Sequence, residues 1–158
     1  MITTHFRGTA KNIELMLCGI SIDAYHCRVN NSNLYIIPPE CTPWPHEIRI
    51  AKILSSANIK CSFIPETSTA KTPDLTIGNR QYEIKSPISP KIDAVERNLK
   101  RATAKSRYII FDSSRMRRLS DERIRNELIK QLNAQTLIKE IIFVDKAASI
   151  HRLTRNKK

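Results

Sequence analysis

The sequence predicts an α/β protein in which helices flank a central mixed β-sheet that contains one antiparallel hairpin. Apolar and polar residues alternate on both sides of Gly78-Asn79, as in the two strands of a tight hairpin. The run from Tyr108 to Phe111 is continuously apolar, which is typical of a strand buried on both faces. Stretches with apolar residues at helical spacing separate the strands. From residue 45 onward, the predicted order of elements is αβββαβαββ.

Two segments are predicted, an N-terminal arm or accessory segment at residues 1–33 and the main domain at residues 34–158. Within the arm, residues 12–18 are compatible with a short helix and residues 20–29 with a strand. Asparagine and serine at residues 30–32 indicate a turn.

The first helix of the main domain is predicted to begin at Pro45 or His46 and to end at Ala57 or Asn58. Prolines keep the preceding chain extended, since a residue before proline is disfavoured in the helical region. Glu47 lies in the first turn, on the same face as the apolar residues. Its carboxylate either complements the positive end of the helix or points into a functional site. His46 flanks this face and is predicted to cap or pack.

A polar loop at residues 66–71 leads directly into Asp74. After the hairpin, Ser86-Pro87 and Ser89-Pro90 end the strand, and a second helix is predicted from about Lys91. Its inward face is predicted to contain Ile92, Val95, Leu99 and Ala102.

Ser120 is predicted to cap a third helix, with Leu119 and Ile124 packing against each other across the cap. The strands outside the hairpin are predicted at residues 34–37, 59–65, 108–111, 137–144 and 149–153.

The net charge of +12 in 158 residues, with a pI of about 9.9, favours a polyanionic partner. Nucleic acid and an acidic membrane surface are the usual candidates, and a basic protein with a solvated surface is the alternative. No apolar run approaches the ~20 residues that a membrane span needs. The four cysteines lack metal-site spacing and are predicted to be reduced thiols: Cys18, Cys27, Cys41 and Cys61.

The hairpin also predicts a catalytic cluster. If Gly78-Asn79 is a two-residue loop, Asp74 lies opposite Glu83, and Lys85 shares their face because strand side chains two apart point the same way. Two carboxylates beside a lysine suit a site for Mg²⁺ or Mn²⁺ that hydrolyses phosphodiester bonds. The alternative is a hairpin whose polar face is simply exposed to water.

An ordered set of residues across positions 34–153 resembles a known family. Asp74 followed by Glu83-Ile84-Lys85 resembles the core of the PD-(D/E)xK nucleases. With His46-Glu47 before it and residues 107–112 after it, the set resembles the tRNA nuclease toxin domains at the C-termini of contact-dependent growth-inhibition proteins.

This resemblance implies a restriction-endonuclease-like core and a metal-dependent endonuclease acting on tRNA. It implies that Asp74 and Glu83 are the main metal ligands and that Glu47 is a third ligand, directly or through water. Lys85 would orient the attacking water or stabilise developing charge. The family also implies delivery within a larger secreted toxin, action in the cytoplasm of a neighbouring cell, and an acidic immunity protein as partner.

The sequence departs from this family at the end of the second predicted helix. The family has a glutamine followed by a small residue there, next to the active site, whereas this chain has Lys105-Ser106. The glutamine's role therefore does not carry over. Lys105, Arg115 and Arg101 are instead predicted to contact nucleic acid.

Other readings of the sequence remain. The same cluster serves DNA endonucleases, and a nuclease fold that has lost its activity would bind nucleic acid without cutting it. A basic protein associated with ribosomes or membranes would need no such site. Aromatic residues are sparse, at 6%, and Trp44 and Tyr82 suit the core as well as a base contact. The oligomeric state is left open.

Overall fold

The computed structural model describes residues 28–30, 33–67 and 71–155. Within them, the strands are β1 (Arg28–Asn30), β2 (Asn33–Ile36), β3 (Cys61–Phe63), β4 (Leu75–Ile77), β5 (Arg80–Lys85), β6 (Tyr108–Asp112), β7 (Glu140–Val144) and β8 (Ile150–Thr154). The helices are α1 (Pro45–Ser56), α2 (Asp93–Ala102) and α3 (Asp121–Ala134).

The described strands form one sheet of eight, in the order in which they occur along the chain. The pairs β2/β3, β5/β6 and β6/β7 are parallel, and the other neighbours are antiparallel. The predicted mixed sheet and the order αβββαβαββ from α1 onward are therefore confirmed. β1 precedes them and pairs with β2, the strand in which the predicted boundary between residues 33 and 34 falls.

The predicted hairpin has the expected register. Leu75 pairs with Tyr82 and Ile77 with Arg80, across a loop of Gly78 and Asn79. Gly78 has a φ of 59°, a conformation that costs glycine little because it lacks a Cβ atom. The backbone N–H of Asp74 donates to the carbonyl of Tyr82 at 3.0 Å, which continues the pairing toward the cluster.

Two hydrophobic cores lie on opposite faces of the sheet, because strand side chains alternate between faces. On β6, Ile109 and Phe111 join a core that also contains buried residues of α2 and α3. Ile110 joins the other core, which contains residues of α1. Central β6 is thus buried on both faces, as its apolar run predicts.

Several predicted boundaries are wrong by a few residues. β7 begins at Glu140 and not at Leu137, whose side chain is 54% exposed in the turn after α3. β3 covers only three of the seven residues predicted for it, at Cys61–Phe63. α2 begins at Asp93 and not at about Lys91. The predicted helix at residues 12–18 lies outside the described residues.

The predicted cap of α3 by Ser120 is confirmed. Ser120 Oγ accepts a hydrogen bond from the backbone N–H of Arg123 at 3.2 Å, and Leu119 and Ile124 are both buried in the core beside α3. Cys41 and Cys61 are free thiols, and burial raises the pKa of Cys61 to about 12. Cys18 and Cys27 lie outside the described residues. None of the described helices has the length and apolar character needed to cross a membrane.

Candidate functional site

The candidate site is built around Glu83, near the carboxyl end of β5. Glu83 is in register with Ile109 on β6, so its side chain faces the core that α2 and α3 cover. Only 1% of Glu83 is exposed to solvent. The alternative of a hairpin with a fully wet polar face is therefore wrong at this position.

Both carboxylate oxygens of Glu83 meet a lysine. The Lys85 ammonium donates to Oε1 at 2.5 Å, and the Lys105 ammonium lies 3.3 Å from Oε2. Oε2 is nevertheless buried without a hydrogen bond within the described residues. Burial raises the pKa of Glu83, the hydrogen bond from Lys85 opposes this shift, and the charge of Asp74 adds to it. Within the described residues, Oε2 of this buried carboxylate is therefore contacted by the charge of Lys105 without a well-aligned hydrogen bond.

Asp74 approaches the same place from the start of β4. Its Oδ2 accepts a hydrogen bond from the backbone N–H of Ile84 at 2.6 Å, which fixes the carboxylate against β5. Its Oδ1 lies 3.8 Å from the Lys105 ammonium, which also contacts Glu83. The structure therefore brings the predicted carboxylate pair and Lys85 together, with a second lysine bridging the pair.

Lys105 follows α2 and is 29% exposed at its side chain. Burial alone would lower the pKa of Lys105, but the charges of Glu83 and Asp74 outweigh it and raise this pKa. The sequence predicted that Lys105 contacts nucleic acid. It did not predict the ion pairs of Lys105 with Glu83 and Asp74. Lys105 stands at the position where the resembling family has a glutamine, and this was the signal that could have revealed the ion pairs.

Glu47 lies near the pair but is held by its own helix. Its Oε2 accepts a hydrogen bond from the backbone N–H of Trp44 at 2.8 Å. Burial raises the pKa of Glu47, the Trp44 bond lowers it, and the charges of Asp74 and Glu83 raise it further. In the described part of the chain, no three His, Cys, Asp or Glu side chains converge closely enough to hold a metal ion. The local cluster is therefore a carboxylate pair with two lysines.

The remaining predicted residues are Arg115 and Arg101, and only Arg115 is shown next to this cluster. Arg115 Nη1 donates to the carbonyl of Ser86 at 3.1 Å, next to Lys85 in sequence. Arg101 is exposed on α2. Burial lowers the pKa of His46 and the charge of Arg115 lowers it further, so a neutral imidazole is favoured near the site. Trp44 is 68% exposed at the start of α1, whereas Tyr82 is buried in the hydrophobic core.

Asp112, at the carboxyl end of β6, has a role that the sequence did not predict. Asp112 is fully buried. Its Oδ1 accepts from Arg49 Nη1 at 2.9 Å and from the Ser114 backbone N–H at 3.0 Å. Its Oδ2 accepts from the hydroxyls of Ser86 and Ser114, each at 2.8 Å. Asp112 thus ties α1 to the loops that follow β5 and β6.

The two carboxylates are of the donor type that a hard divalent cation prefers. Mg²⁺ and Mn²⁺ prefer carboxylate oxygens, and Asp74 and Glu83 supply two such groups on one side of β5. Glu83 Oε2 is buried and accepts no hydrogen bond within the described residues. The Lys105 ammonium lies close to both carboxylates, which shows that a positive charge is accommodated there.

The chain is similar to a solved structure described as a CdiA-CT/CdiI toxin and immunity complex from Burkholderia pseudomallei. The match has a TM-score of 0.54 at 18% sequence identity, and it covers 75% of this chain and 92% of that chain. At this identity the likeness concerns the fold. The search of curated proteins gave no match.

A family model described as the contact-dependent growth inhibition CdiA C-terminal domain matches residues 71–150. The matched range includes Asp74, Glu83, Lys85 and Lys105, and it spans just over half of the 158 residues. The chain therefore belongs to the family of C-terminal toxin domains of CdiA proteins of contact-dependent growth inhibition.

Proposed function

We propose that this toxin domain is a metal-dependent endonuclease of the PD-(D/E)xK type that hydrolyses phosphodiester bonds in RNA, with tRNA as its substrate. The observation that carries the proposal is the buried carboxylate of Glu83, which shares Lys105 with Asp74 and receives a hydrogen bond from Lys85. A carboxylate pair flanked by ammonium groups, on a chain of net charge +12, suits chemistry on a polyanion.

In this mechanism Asp74 and Glu83 would hold Mg²⁺ or Mn²⁺, and Glu47 would support them from the first turn of α1. The bound cation would lower the pKa of a water molecule and polarise the phosphoryl oxygen. Lys85 is held against Glu83 and presents a positive charge where the phosphate gains negative charge. Burial beneath α2 fixes Glu83 before substrate arrives, so little reorganisation is needed.

We expect the purified domain to cut tRNA in the presence of Mg²⁺ and to lose this activity in EDTA. One gel that compares tRNA, total RNA and supercoiled plasmid with and without Mg²⁺ measures both properties. Preferential cutting of plasmid would replace the RNA proposal with a DNA endonuclease. Binding to tRNA without any turnover after metal is restored would instead leave a non-catalytic binding module.

The family supports a proposal for the partner and the place of action. The solved structure to which this chain is similar is a toxin and immunity complex. This chain carries a net charge of +12. We therefore propose that an acidic immunity protein binds this domain. The proposed site of action is the cytoplasm of a target cell, after delivery as part of a larger secreted protein.

Lys105 provides a second test, because its ammonium lies where it competes with a bound cation for Asp74 and Glu83. Lys105→Gln removes this positive charge and keeps a polar side chain. We expect Mn²⁺ to bind the variant at least about tenfold more tightly, since like charges a few ångströms apart repel strongly in a partly buried site. Isothermal titration calorimetry measures this change.

The same variant is expected to lose about 1–2 kcal/mol of stability in EDTA, because two close carboxylates lose a shared cation. Lys100→Gln is the matched control. Lys100 pairs with Glu96 on the exposed surface of α2, and such pairs contribute little. Unchanged or weaker Mn²⁺ binding by Lys105→Gln would show that the ammonium does not compete with the metal.

A further inference from the structure

A second site lies beside the catalytic cluster, in a cavity of about 550 Å³. One wall is formed by residues 88–90, after β5, and the other by Ser114, Arg115, Arg117 and Arg118, after β6. These loops leave the carboxyl ends of two adjacent parallel strands. Ligands of open α/β sheets bind outside such strand ends, and the volume lies within the range of small-molecule sites.

Both walls are anchored, so the cavity is formed before a ligand binds. Asp112 accepts hydrogen bonds from Ser86 at the base of one wall and from Ser114 at the base of the other. Arg115 joins the walls by donating to the carbonyl of Ser86 at 3.1 Å. Met116 is fully buried in the core. A preformed site loses less conformational entropy on binding than a flexible loop does.

The arginine wall suits a phosphate group. Arg117 and Arg118 are both exposed, and they directly follow the buried Met116 in the chain. Across the residues that the structure describes, neither has an ion-pair partner. A guanidinium presents a planar set of N–H donors that matches phosphate oxygens. Two unpaired guanidinium groups at a rigid loop therefore form a ready anion site.

The opposite wall is apolar. Ile88 is 74% exposed, more than Trp44 or Leu137, the other exposed large hydrophobic residues of the described chain. Pro90 lies on the same wall of the cavity. An exposed apolar side chain facing arginines suits a ligand with a flat apolar face and an anionic group. A nucleotide has both, since its base offers the face and its phosphate the charge.

The cavity also lies close to the proposed reaction centre. Ile88 is three residues from Lys85, so their Cα atoms are at most about 11 Å apart. We propose that this cavity is a nucleotide subsite that holds one unpaired residue of an RNA strand, with its base against Ile88 and Pro90 and its phosphate on Arg117 and Arg118. This inference rests on the proposed nuclease function. It names the part of the RNA that is bound, a single-stranded segment.

The test measures binding of a short fluorescent single-stranded RNA by anisotropy, with the full chain in EDTA. The charge variant is Arg117→Gln with Arg118→Gln, and the apolar variant is Ile88→Ser. The matched control is Arg97→Gln with Arg125→Gln, which removes two exposed arginines from α2 and α3 outside the cavity. Thermal melting confirms that each variant is folded, and a gel confirms that the RNA stays intact.

We expect the charge variant to bind RNA about tenfold more weakly at 0.1 M salt and to reduce the slope of log K against log salt concentration by about 0.7, the value for one phosphate contact on a single strand. Ile88→Ser is expected to weaken binding about three- to tenfold with an unchanged slope. The control is expected to change affinity less than about threefold. An equal loss in the control, or full affinity in Ile88→Ser, would overturn the subsite.

Binding of a DNA strand of the same sequence tests whether the cavity prefers RNA or DNA. Tighter binding of the RNA strand supports RNA as the occupant, and equal or tighter binding of DNA overturns that assignment. The two proposals also fail separately. A wild-type chain that cuts nothing refutes the nuclease, whereas a chain that cuts RNA while all cavity variants bind and cut normally refutes the subsite.

Discussion

Replacing Glu83 by glutamine is expected to leave a folded domain whose RNA cleavage rate falls at least about 100-fold. The substitution keeps the shape of the side chain but removes the charge that would hold a metal and position Lys85. Burial raises the pKa of Glu83, which means that the ionised form of its carboxyl group is disfavoured in the native state. We therefore expect the melting temperature to stay within a few degrees of wild type or to rise.

The same loss of cleavage is expected for Asp74→Ala, Asp74→Asn and Lys85→Ala, since their side chains meet at one small site. Effects within such a unit are not additive, so a double variant should be no slower than the worst single one. Glu122→Gln, an exposed carboxylate on α3, is the control and should cut normally. Initial rates on tRNA measure each effect. Near-normal cleavage by the Glu83, Asp74 and Lys85 variants would refute the mechanism.

The largest expected loss of stability follows from Asp112→Ala. Asp112 is fully buried and accepts four hydrogen bonds, one of them from a guanidinium. Removing it leaves Arg49 and two serines without their acceptor. Losing four hydrogen bonds to a buried carboxylate is expected to cost about 3–5 kcal/mol, although Arg49 is 32% exposed and can regain contact with water. For a chain of this size the melting temperature should then fall by about 10 °C or more.

Asp93→Ala is the matched control for stability, because Asp93 is exposed in the first turn of α2. Its loss should cost less than about 1 kcal/mol. Urea unfolding followed by circular dichroism gives both values. If Asp112→Ala unfolded at the same urea concentration as the Asp93 control, Asp112 would not be the anchor of these loops.

The hairpin was predictable because its information is local. Gly78-Asn79 fixes a short loop, and the alternation on either side fixes which residues oppose each other. Asp74, Glu83 and Lys85 then meet as a direct result of that register. The continuous apolar run of β6 likewise identified a strand buried on both faces without reference to any other part of the chain.

Long-range partners could not be predicted in this way. Alternation places Glu83 on one face, but it does not say that α2 covers that face or that Lys105 reaches it. The contact between Arg49 and Asp112 joins residues 63 positions apart. Such contacts depend on how helices pack on the sheet and on side-chain conformations, and neither leaves a periodic signal in the sequence.

The two lysines beside the carboxylate pair have a further consequence for how the domain folds. Asp74 and Glu83 carry two negative charges, and Lys85 and Lys105 carry two positive ones in direct ion pairs with them. The cluster is thus electrically neutral without an added ion. Folding of this site therefore does not depend on a divalent cation to cancel the charge of its two carboxylates.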